Sequence, residues 1–320
     1  MSQPLFDLAA KRVWVAGHRG MVGSAVVRRL AQEPIGELIT ATSSEVDLRR
    51  QSETEGFVND VKPEVAIIAA AKVGGIHANR TAQADFLYDN VMIAANCLNA
   101  CRLAGVDKVV VLGSSCIYPR ESPQPIREDY LLTGPLEPTN EGYAIAKIAA
   151  LELGKMQRRQ YGTDVVSLMP TNLYGPGDNY DLETSHVLPA MIRKTHEAKV
   201  NNSATIEIWG SGKPRREFLH VDDLADATLH ATRWYSGEEH LNVGTGEDIP
   251  ILGLAELIAE VVGWDGDIVL DESMPDGTPR KLLDVSRLEA LGWRASIDLG
   301  DGIRQTYQSF LAEHASAEAG

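Results

Sequence analysis

Short apolar runs alternate with longer segments of helical spacing through the first half of the chain. The runs, rich in Val, Ile and Leu, have the length of buried strands, and between them apolar residues recur every three or four positions, as on one helix face. Strands are predicted over residues 12–16, 37–40, 64–69, 108–113 and 164–169. Helices are predicted over residues 21–32, 51–61 and 81–104, the last ended by Gly105, and around Tyr143.

This alternation predicts an α/β fold: a Rossmann-type, doubly wound parallel sheet with helices on both faces and right-handed crossovers. We assign residues 1–170 to it as a dinucleotide-binding domain. Beyond Pro170 the rhythm breaks into shorter strands (205–209 and 267–270) mixed with helices (187–199, 222–235, 251–262 and 302–312). We interpret residues 171–320 as mainly a smaller mixed α/β lobe that binds substrate, with segments near 210–245 returning to the first domain, and expect residues 314–320 to fray.

Composition narrows the possible partners. The 320 residues carry a formal net charge of −15, which disfavours nonspecific binding to nucleic acid. No apolar run approaches the ~20 residues of a membrane span, and the N-terminus lacks a signal-peptide pattern, so we expect a cytoplasmic protein. Three cysteines make no disulfide framework, and Cys97 and Cys101 share an apolar helix face that we place in the core. No cluster of His, Cys, Asp and Glu has metal-ligand spacing, so no metal is predicted.

A glycine-rich turn, GHRGMVG, joins the first predicted strand to the first helix at residues 17–23. Glycines at such a turn permit a tight bend, a close approach of backbone to a diphosphate and packing of the helix on the strand. The helix N-terminus adds free N–H groups that attract phosphate. The context predicts a dinucleotide site whose contacts are Gly17, Arg19, Gly20, Met21, Val22 and Gly23.

The identity of the dinucleotide depends on the second strand. That strand ends in TATSS at residues 40–44, without the acid that usually holds the adenosine ribose 2′-hydroxyl of NAD. Arg19 can instead pair with a 2′-phosphate, and Ser43 and Ser44 can add hydrogen bonds. We therefore predict NADP(H) as the cofactor.

Tyr143 and Lys147 lie one helical turn apart, on the same face of the predicted helix. A cation beside a phenol favours the phenolate, so we expect Lys147 to lower the pKa of Tyr143 from its usual value of about 10. Ser114 follows the fourth strand, at the edge of the sheet where ligands bind in parallel folds. These three residues indicate reduction of a carbonyl by a nicotinamide: Ser114 and Tyr143 polarise the oxygen, and Lys147 orients the tyrosine and a cofactor ribose.

This set and the glycine turn resemble the extended short-chain dehydrogenase/reductase family. More locally, about residues 11–310 are similar to the members that invert two carbons of GDP-4-keto-6-deoxy-D-mannose and then reduce its C4 ketone with NADPH, giving GDP-L-fucose. The resemblance implies that activity, NADP(H), a GDP-sugar substrate and a homodimer. It is carried by GSSCIYP (113–119), EPTNE (137–141), YAIAK (143–147), MPTNLYGP (169–176), REFLHVDD (216–223) and DGTPRKLLD (276–284).

The resemblance also implies roles for single residues. Cys116 would be the base and His186 the acid of the epimerisation, since a thiol and an imidazole titrate near enough to neutrality. From the residues alone, Cys116 could equally be a small buried residue and His186 a polar residue preceding a helix. The implied substrate contacts are Ser114, Asn172, Lys194, Trp209, Arg216 and Lys281. The implied cofactor contacts beyond the glycine turn are Tyr143, Lys147, Pro170, Asn172, Leu173 and His186.

Other interpretations stay open at this point. The same fold serves 4-epimerases and 4,6-dehydratases of other nucleotide sugars, although a dehydratase would want a carboxylate pair where Ser115 and Cys116 stand. A non-catalytic NADP-sensing regulator should have lost Tyr143 or Lys147. Arg193, Arg215 and Arg280 could bind phosphate or lie in solvent. The chain also departs from the family pattern after the second strand, where Ala41 and Ser43 replace arginines, which leaves use of NADH open.

Overall fold

The computed structural model describes residues 3–182, 184–274 and 276–318. The strands are β1 (Arg12–Ala16), β2 (Glu37–Ile39), β3 (Val65–Ile68), β4 (Lys108–Leu112), β5 (Val165–Pro170), β6 (Asn172–Tyr174), β7 (Thr205–Trp209), β8 (Arg215–Arg216), β9 (Phe218–His220), β10 (Leu241–Val243), β11 (Ile249–Pro250), β12 (Asp267–Asp271) and β13 (Arg280–Lys281). The helices are α1 (Met21–Leu30), α2 (Gln51–Val61), α3 (Ile76–Thr81), α4 (Gln83–Ala104), α5 (Glu141–Tyr161), α6 (Val187–Val200), α7 (Val221–Trp234), α8 (Ile251–Val262), α9 (Ser286–Ala290) and α10 (Leu299–Glu318).

The central sheet has the strand order β10-β5-β4-β3-β1-β2. Each neighbouring pair in it runs parallel. The predicted Rossmann-type sheet is therefore confirmed. The order reverses beside β1, whose neighbours are β2 and β3, and ligands of such sheets bind in the crevice at the carboxyl ends of the strands at this point.

Alternate residues of β1 point to opposite faces of the sheet and enter two separate cores. Val13 and Val15 pack with residues of α1 and α7. Trp14 and Ala16 pack with residues of α2, α4 and α5, among them Cys97 and Cys101. Helices therefore cover both faces, and the prediction that these two cysteines lie in the core is confirmed.

A further core lies among α6, α8 and α10, where Ile192, Ile258 and Phe310 are fully buried. The strands β12 and β7 pair beside it, β6 pairs with β9, and β11, β8 and β13 form a small sheet. Because β6 follows β5 after a single residue, the chain passes from the carboxyl end of the central sheet directly to these smaller strands.

Several predicted helix boundaries differ from the structure; α1, for example, ends at Leu30 and not at residue 32, and α10 covers Leu299–Glu318 where 302–312 was predicted. The helix predicted over 81–104 begins at Gln83, because Ala82, with φ −131° and ψ 37°, separates it from α3, a short helix that was not predicted. Gly105 ends α4 in the left-handed region at φ 71°, as predicted. The fraying expected from residue 314 is wrong as far as Glu318, where α10 ends, and residues 319–320 lie outside the described residues.

Candidate active site

Ser114 and Cys116 lie in a tight turn at the carboxyl end of β4. Ser114 Oγ accepts a hydrogen bond from the Cys116 backbone N–H at 3.3 Å and so caps a 3₁₀ turn over Ser115–Ile117. The turn leaves Cys116 only 7% exposed. The structure thus holds the predicted base two residues from the predicted carbonyl-polarising serine.

Lys147 anchors α5 to the same strand end. Its ammonium donates a hydrogen bond to the carbonyl oxygen of Leu112, the last residue of β4, at 2.8 Å. It also lies 5.6 Å from the ring centroid of Tyr143, one turn earlier on the helix. The ring of Phe86 packs edge-on against Tyr143 at 6.4 Å. Tyr143 and Lys147 are therefore brought to the turn that carries Ser114.

The expected lowering of the Tyr143 pKa is not what the structure gives. Burial raises the pKa of Tyr143, and a charge on Cys116 raises it further. Burial also lowers the pKa of Lys147 to about 8. The Lys147 ammonium is directed at the Leu112 carbonyl, and loss of solvent around the phenol outweighs its effect. Tyr143 is consequently protonated at neutral pH, as a proton donor must be.

Lys281 acts electrostatically on both predicted epimerisation residues. Burial raises the pKa of the Cys116 thiol, while the Lys281 ammonium, the Ser114 hydroxyl and Lys147 act in the opposite direction. Protein around the ring lowers the pKa of His186, and Lys281 lowers it further. His186 immediately precedes α6 and is its N-cap residue, without a side-chain capping hydrogen bond. The β13 lysine thus lies within electrostatic reach of both groups.

The glycine turn has the shape of a diphosphate cradle. A Cβ on Gly23 would lie 2.0 Å from the Gly17 carbonyl oxygen, and one on Gly17 2.7 Å from the Ala70 backbone. Gly17 itself has a φ of +82°, which favours glycine. The N-cap of α1 is Gly20, which has no side chain to satisfy the first N–H groups of the helix. These groups remain available for phosphate, so the described residues fit a dinucleotide.

Sequence reasoning missed a carboxylate beside this cradle. Thr42, just after β2, donates two hydrogen bonds to Glu45 Oε2, from its N–H at 2.7 Å and its hydroxyl at 2.8 Å. Those bonds lower the pKa of Glu45, and Arg19 and His18 lower it further through their charges. Glu45 lies several residues beyond the end of β2, whereas the acid typical of NAD-binding proteins is expected at the strand end itself. The T-x-x-E spacing of a capping turn was the available signal.

Arginines of the later residues divide into two groups. Arg215 and Arg280 both donate to Asp248, the former at 2.6 Å, and the Asp248 side chain is only 3% exposed. Arg216 instead donates to the carbonyl oxygens of Arg215 and Thr278. Among the described residues, no carboxylate pairs with Arg216. Of these three arginines, Arg216 is therefore the one whose charge is not neutralised by a carboxylate and can bind an anionic ligand.

The structure also shows the surroundings of the other predicted substrate contacts. The β13–β8 register sets Lys281 opposite Arg216, so two cations lie side by side. Lys194 lies 5.7 Å from the ring centroid of Trp209, which is 62% exposed. Arg193, by contrast, pairs with Glu197 on its own helix. Trp209 is thus available for contact with a ring of a ligand.

Glu217 is a buried acid that sequence reasoning did not assign. One of its carboxylate oxygens accepts from Gly246 N–H at 2.8 Å and the other from Leu283 N–H at 3.0 Å. Its backbone carbonyl accepts from the Asn172 side-chain amide at 2.8 Å. Asn172 lies in β6 next to Leu173 and two residues after Pro170, the last residue of β5. Glu217 therefore ties the end of the main sheet to the β13 segment that carries Lys281.

The described part of the chain has neither a metal-holding cluster nor a membrane-spanning helix. No group of three or more His, Cys, Asp or Glu side chains there is arranged to hold a metal ion. None of the helices in those residues has the length and apolar character needed to cross a bilayer.

Comparison with known proteins identifies the family. The profile of the NAD dependent epimerase/dehydratase family matches residues 13–244. The GDP-L-fucose synthase of Sinorhizobium fredii is 53% identical over 97% of this chain and 98% of its own length. The chain belongs to the GDP-L-fucose synthase family. The Escherichia coli GDP-L-fucose synthase is 50% identical over 95% of this chain and 98% of its own length.

Solved structures agree with this membership. A GDP-L-fucose synthetase from Naegleria fowleri bound to NADP superposes with a TM-score of 0.89, at 29% identity, over 99% of this chain and 98% of that one. The resemblance to extended short-chain dehydrogenases and reductases predicted from the sequence is therefore confirmed at the level of family and fold.

Proposed function

We propose that the protein converts GDP-4-keto-6-deoxy-D-mannose to GDP-L-fucose, inverting C3 and C5 and then reducing the C4 ketone with NADPH. The observation that carries the proposal is the convergence at the carboxyl end of β4 of a serine, a tyrosine–lysine pair and a buried thiol. Lys281 links that thiol electrostatically to His186. A plain reductase needs the first three groups, whereas the thiol and imidazole suit proton transfer at carbon.

The epimerisation uses groups on two sides of the sugar. C3 and C5 both lie α to the C4 carbonyl, so their protons are acidified and loss of either gives an enolate. Cys116 removes a proton from one face, and His186 returns one to the opposite face. Ser114 and Tyr143 hold the enolate oxygen through hydrogen bonds, which strengthen as negative charge develops there.

In the reduction, NADPH supplies hydride to C4. Tyr143 donates its phenolic proton to the C4 oxygen, and its raised pKa keeps that proton in place at neutral pH. Lys147, with a pKa lowered to about 8, exchanges protons readily near neutrality and stabilises the phenolate that remains. Ser114 keeps its hydrogen bond to the same oxygen, so one set of donors serves both half-reactions.

The proposed binding residues for NADPH and the GDP-sugar lie in the glycine turn, at the end of β5 and around the later cations. Gly17, Gly20 and Gly23 would hold the NADPH diphosphate at the start of α1, beside Met21 and Val22. Arg19 would meet the 2′-phosphate, and Pro170, Leu173 and His186 would line the nicotinamide end. Arg216 and Lys194 would contact the GDP diphosphate, with Trp209 against the guanine or ribose, Asn172 on the diphosphate or sugar, and Lys281 near the sugar.

The proposal also covers the roles of the two parts of the chain, the oligomeric state and the location of the protein. Residues 1–170, with segments near 210–245, would bind NADP(H), and residues 171–320 would mainly bind the GDP-sugar. We propose a homodimer through α4 and α5, because Tyr88, Leu103, Ile145 and Met156 on these helices are large, apolar and exposed. We propose a cytoplasmic location for a pathway that consumes NADPH.

The decisive experiment is incubation with GDP-4-keto-6-deoxy-D-mannose and NADPH, with the product identified by NMR. The expected product is GDP-L-fucose, with one NADPH oxidised per molecule formed. Tyr143→Phe is expected to lower NADPH oxidation by about 10²-fold or more, because the proton donor is lost. A wild-type product of unchanged D configuration at C5 would exclude the epimerase half, and full activity of Tyr143→Phe would exclude the assigned donor.

A further inference from the structure

The segment between β3 and α3 is in direct contact with the segment that ends in His186. Gly75 donates a backbone hydrogen bond to the carbonyl oxygen of Thr184 at 2.7 Å. A Cβ built on Gly75 would lie 2.6 Å from the Ser185 carbonyl oxygen and 2.8 Å from that of Thr184. Ser185 is bonded directly to His186. The backbone that carries the imidazole therefore lies against a position with no room for a side chain.

The backbone conformation of Gly75 does not itself require glycine. Its φ of −66° and ψ of −178° are extended values open to any residue. An alanine here would meet no backbone strain of its own, so its effect comes from the contact with residues 184–185 alone. Since both contact atoms are backbone carbonyl oxygens, the obstruction cannot be relieved by turning a side chain.

Both sides of the contact are fixed. The buried Asn79 side-chain amide donates to the Gly75 carbonyl oxygen at 3.1 Å and to that of Gly74, holding the β3–α3 segment. On the other side, Thr184 donates from its N–H and its hydroxyl to Asp181 Oδ1 at 2.9 and 2.8 Å. Displacement at Gly75 is therefore transmitted along the chain to His186.

We propose that Gly75 is a positioning residue for His186: its missing side chain sets where the imidazole stands relative to Cys116. The proposal rests on the proposed function, in which His186 returns a proton at C3 and C5. Cys116 is held separately, by Ser114 at the end of β4. Reduction at C4 uses Tyr143 and Ser114 and should not depend on this contact.

The test compares Gly75→Ala with Gly56→Ala, a matched change in α2 where no atom lies within 4 Å of the added Cβ. Incorporation of solvent deuterium at C3 and C5 is followed by NMR, together with the Kd for NADPH and the melting temperature. Gly75→Ala is expected to slow exchange roughly 10–100-fold, since misplacement of a catalytic group by about 1 Å costs about that much. The Kd for NADPH should change by a much smaller factor than the exchange rate, because His186 is only one of several proposed cofactor contacts. NADPH oxidation should shift toward a GDP-6-deoxyhexose of D configuration at C5.

A double-mutant cycle separates positioning from general damage. If Gly75 acts through His186, Gly75→Ala should add little to the exchange defect of His186→Gln. Asn79→Ala removes the hydrogen bonds to the Gly74 and Gly75 carbonyl oxygens and should also slow exchange, by a smaller factor than Gly75→Ala. If Gly75→Ala does not fold, the exchange rate of Asn79→Ala serves as the test.

Three results would overturn the assignment. They are exchange at the wild-type rate in Gly75→Ala and Asn79→Ala, full additivity with His186→Gln, and equal loss of exchange and NADPH affinity. Failure of the wild-type protein to form GDP-L-fucose would instead refute the proposed function, which distinguishes the two.

Discussion

Cys116 and His186 rest in protonation states opposite to those that their proposed roles use. Burial raises the pKa of the thiol, and the surrounding protein and Lys281 lower the pKa of the imidazole, so both are neutral near pH 7. The resting pair, thiol and neutral imidazole, and the working pair, thiolate and imidazolium, hold the same number of titratable protons, namely one. A proton passed from one group to the other through the substrate generates the working form without exchange with bulk solvent.

We therefore expect a broad plateau in the pH dependence of deuterium exchange. The pair holds one proton from below the ordinary histidine value of 6.5 to above the ordinary cysteine value of 9.0. The kcat/KM for exchange should fall only outside that window, in acid because the base is blocked and in alkali because the acid is spent. Stopped samples analysed by NMR from pH 5 to 10 would measure it. A single rise centred near pH 7 would contradict the pairing.

Substitution checks the same assignment. Cys116→Ser should lower exchange by about 10²-fold or more, because an alcohol is a far weaker acid than a thiol and supplies little base. NADPH affinity should be unchanged. Cys97→Ala, which removes a buried thiol from the α4 core, is the matched control and should exchange at close to the wild-type rate. Wild-type exchange in Cys116→Ser would assign the base elsewhere.

At the scale of elements, the pairing of the short strands β8, β11 and β13 determines which arginine is available to bind the ligand. Arg215 and Arg280 neutralise Asp248, while Arg216 has only carbonyl partners among the described residues. Arg216→Ala should raise the KM for the GDP-sugar about tenfold, the size of a lost charge-assisted hydrogen bond of about 1.4 kcal/mol. Its melting temperature should change by no more than a few degrees.

Arg215→Ala is the neighbouring control, because it leaves the buried Asp248 with one partner fewer. It should lower the melting temperature more than it raises the KM. Steady-state kinetics and thermal unfolding of both variants measure the split. If Arg215→Ala gave the larger rise in KM, the division of the two arginines would be reversed.

Sequence patterns predicted β1 to β5 because burial on both faces leaves continuous apolar runs, as in 108–113. They missed β10, the sixth strand of the central sheet, whose three residues include the polar Asn242. They also located the glycine turn and Tyr143–Lys147, since both depend on local spacing. They could not predict that Asp248 holds Arg215 and Arg280, or that Gly75 touches Thr184. These contacts join segments that are distant in sequence, and nothing local distinguishes a paired arginine from a free one. The break at Ala82 likewise lies inside a good helical pattern.

At the scale of the whole molecule, the loop after β6 joins the cofactor cradle to the α10 core. A Cβ on Gly177 would lie 3.9 Å from the Met21 Cα at the start of α1. Tyr180 donates its hydroxyl hydrogen to the Thr306 carbonyl oxygen of α10 at 3.3 Å. Between them, Asp178 has one carboxylate oxygen, Oδ2, that is buried without a partner among the described residues. Burial raises the pKa of Asp178 to about 7, and the nearby Glu313 contributes.

This carboxyl should make stability depend on pH. In the folded protein Asp178 keeps its proton up to about pH 7, whereas in the unfolded chain it loses it near the ordinary value of 3.8. The folded state therefore binds more protons between these values, so its contribution to stability is complete below pH 3.8 and is lost as the pH rises through 7. Asp178→Asn removes the ionisation, so the variant should melt about 2–5 °C higher than wild type at pH 8.

The gain of the same variant should be clearly smaller at pH 5, because only part of the contribution that is lost between pH 3.8 and 7 has been lost there. Asp265→Asn, at an exposed position, is the matched control and should leave both melting temperatures unchanged. Calorimetry at the two pH values gives the comparison directly. A larger gain at pH 8 would show that ionisation of Asp178, between the glycine turn and α10, lowers the stability of the folded protein. An equal shift at both pH values would mean that packing, not charge, distinguishes the amide.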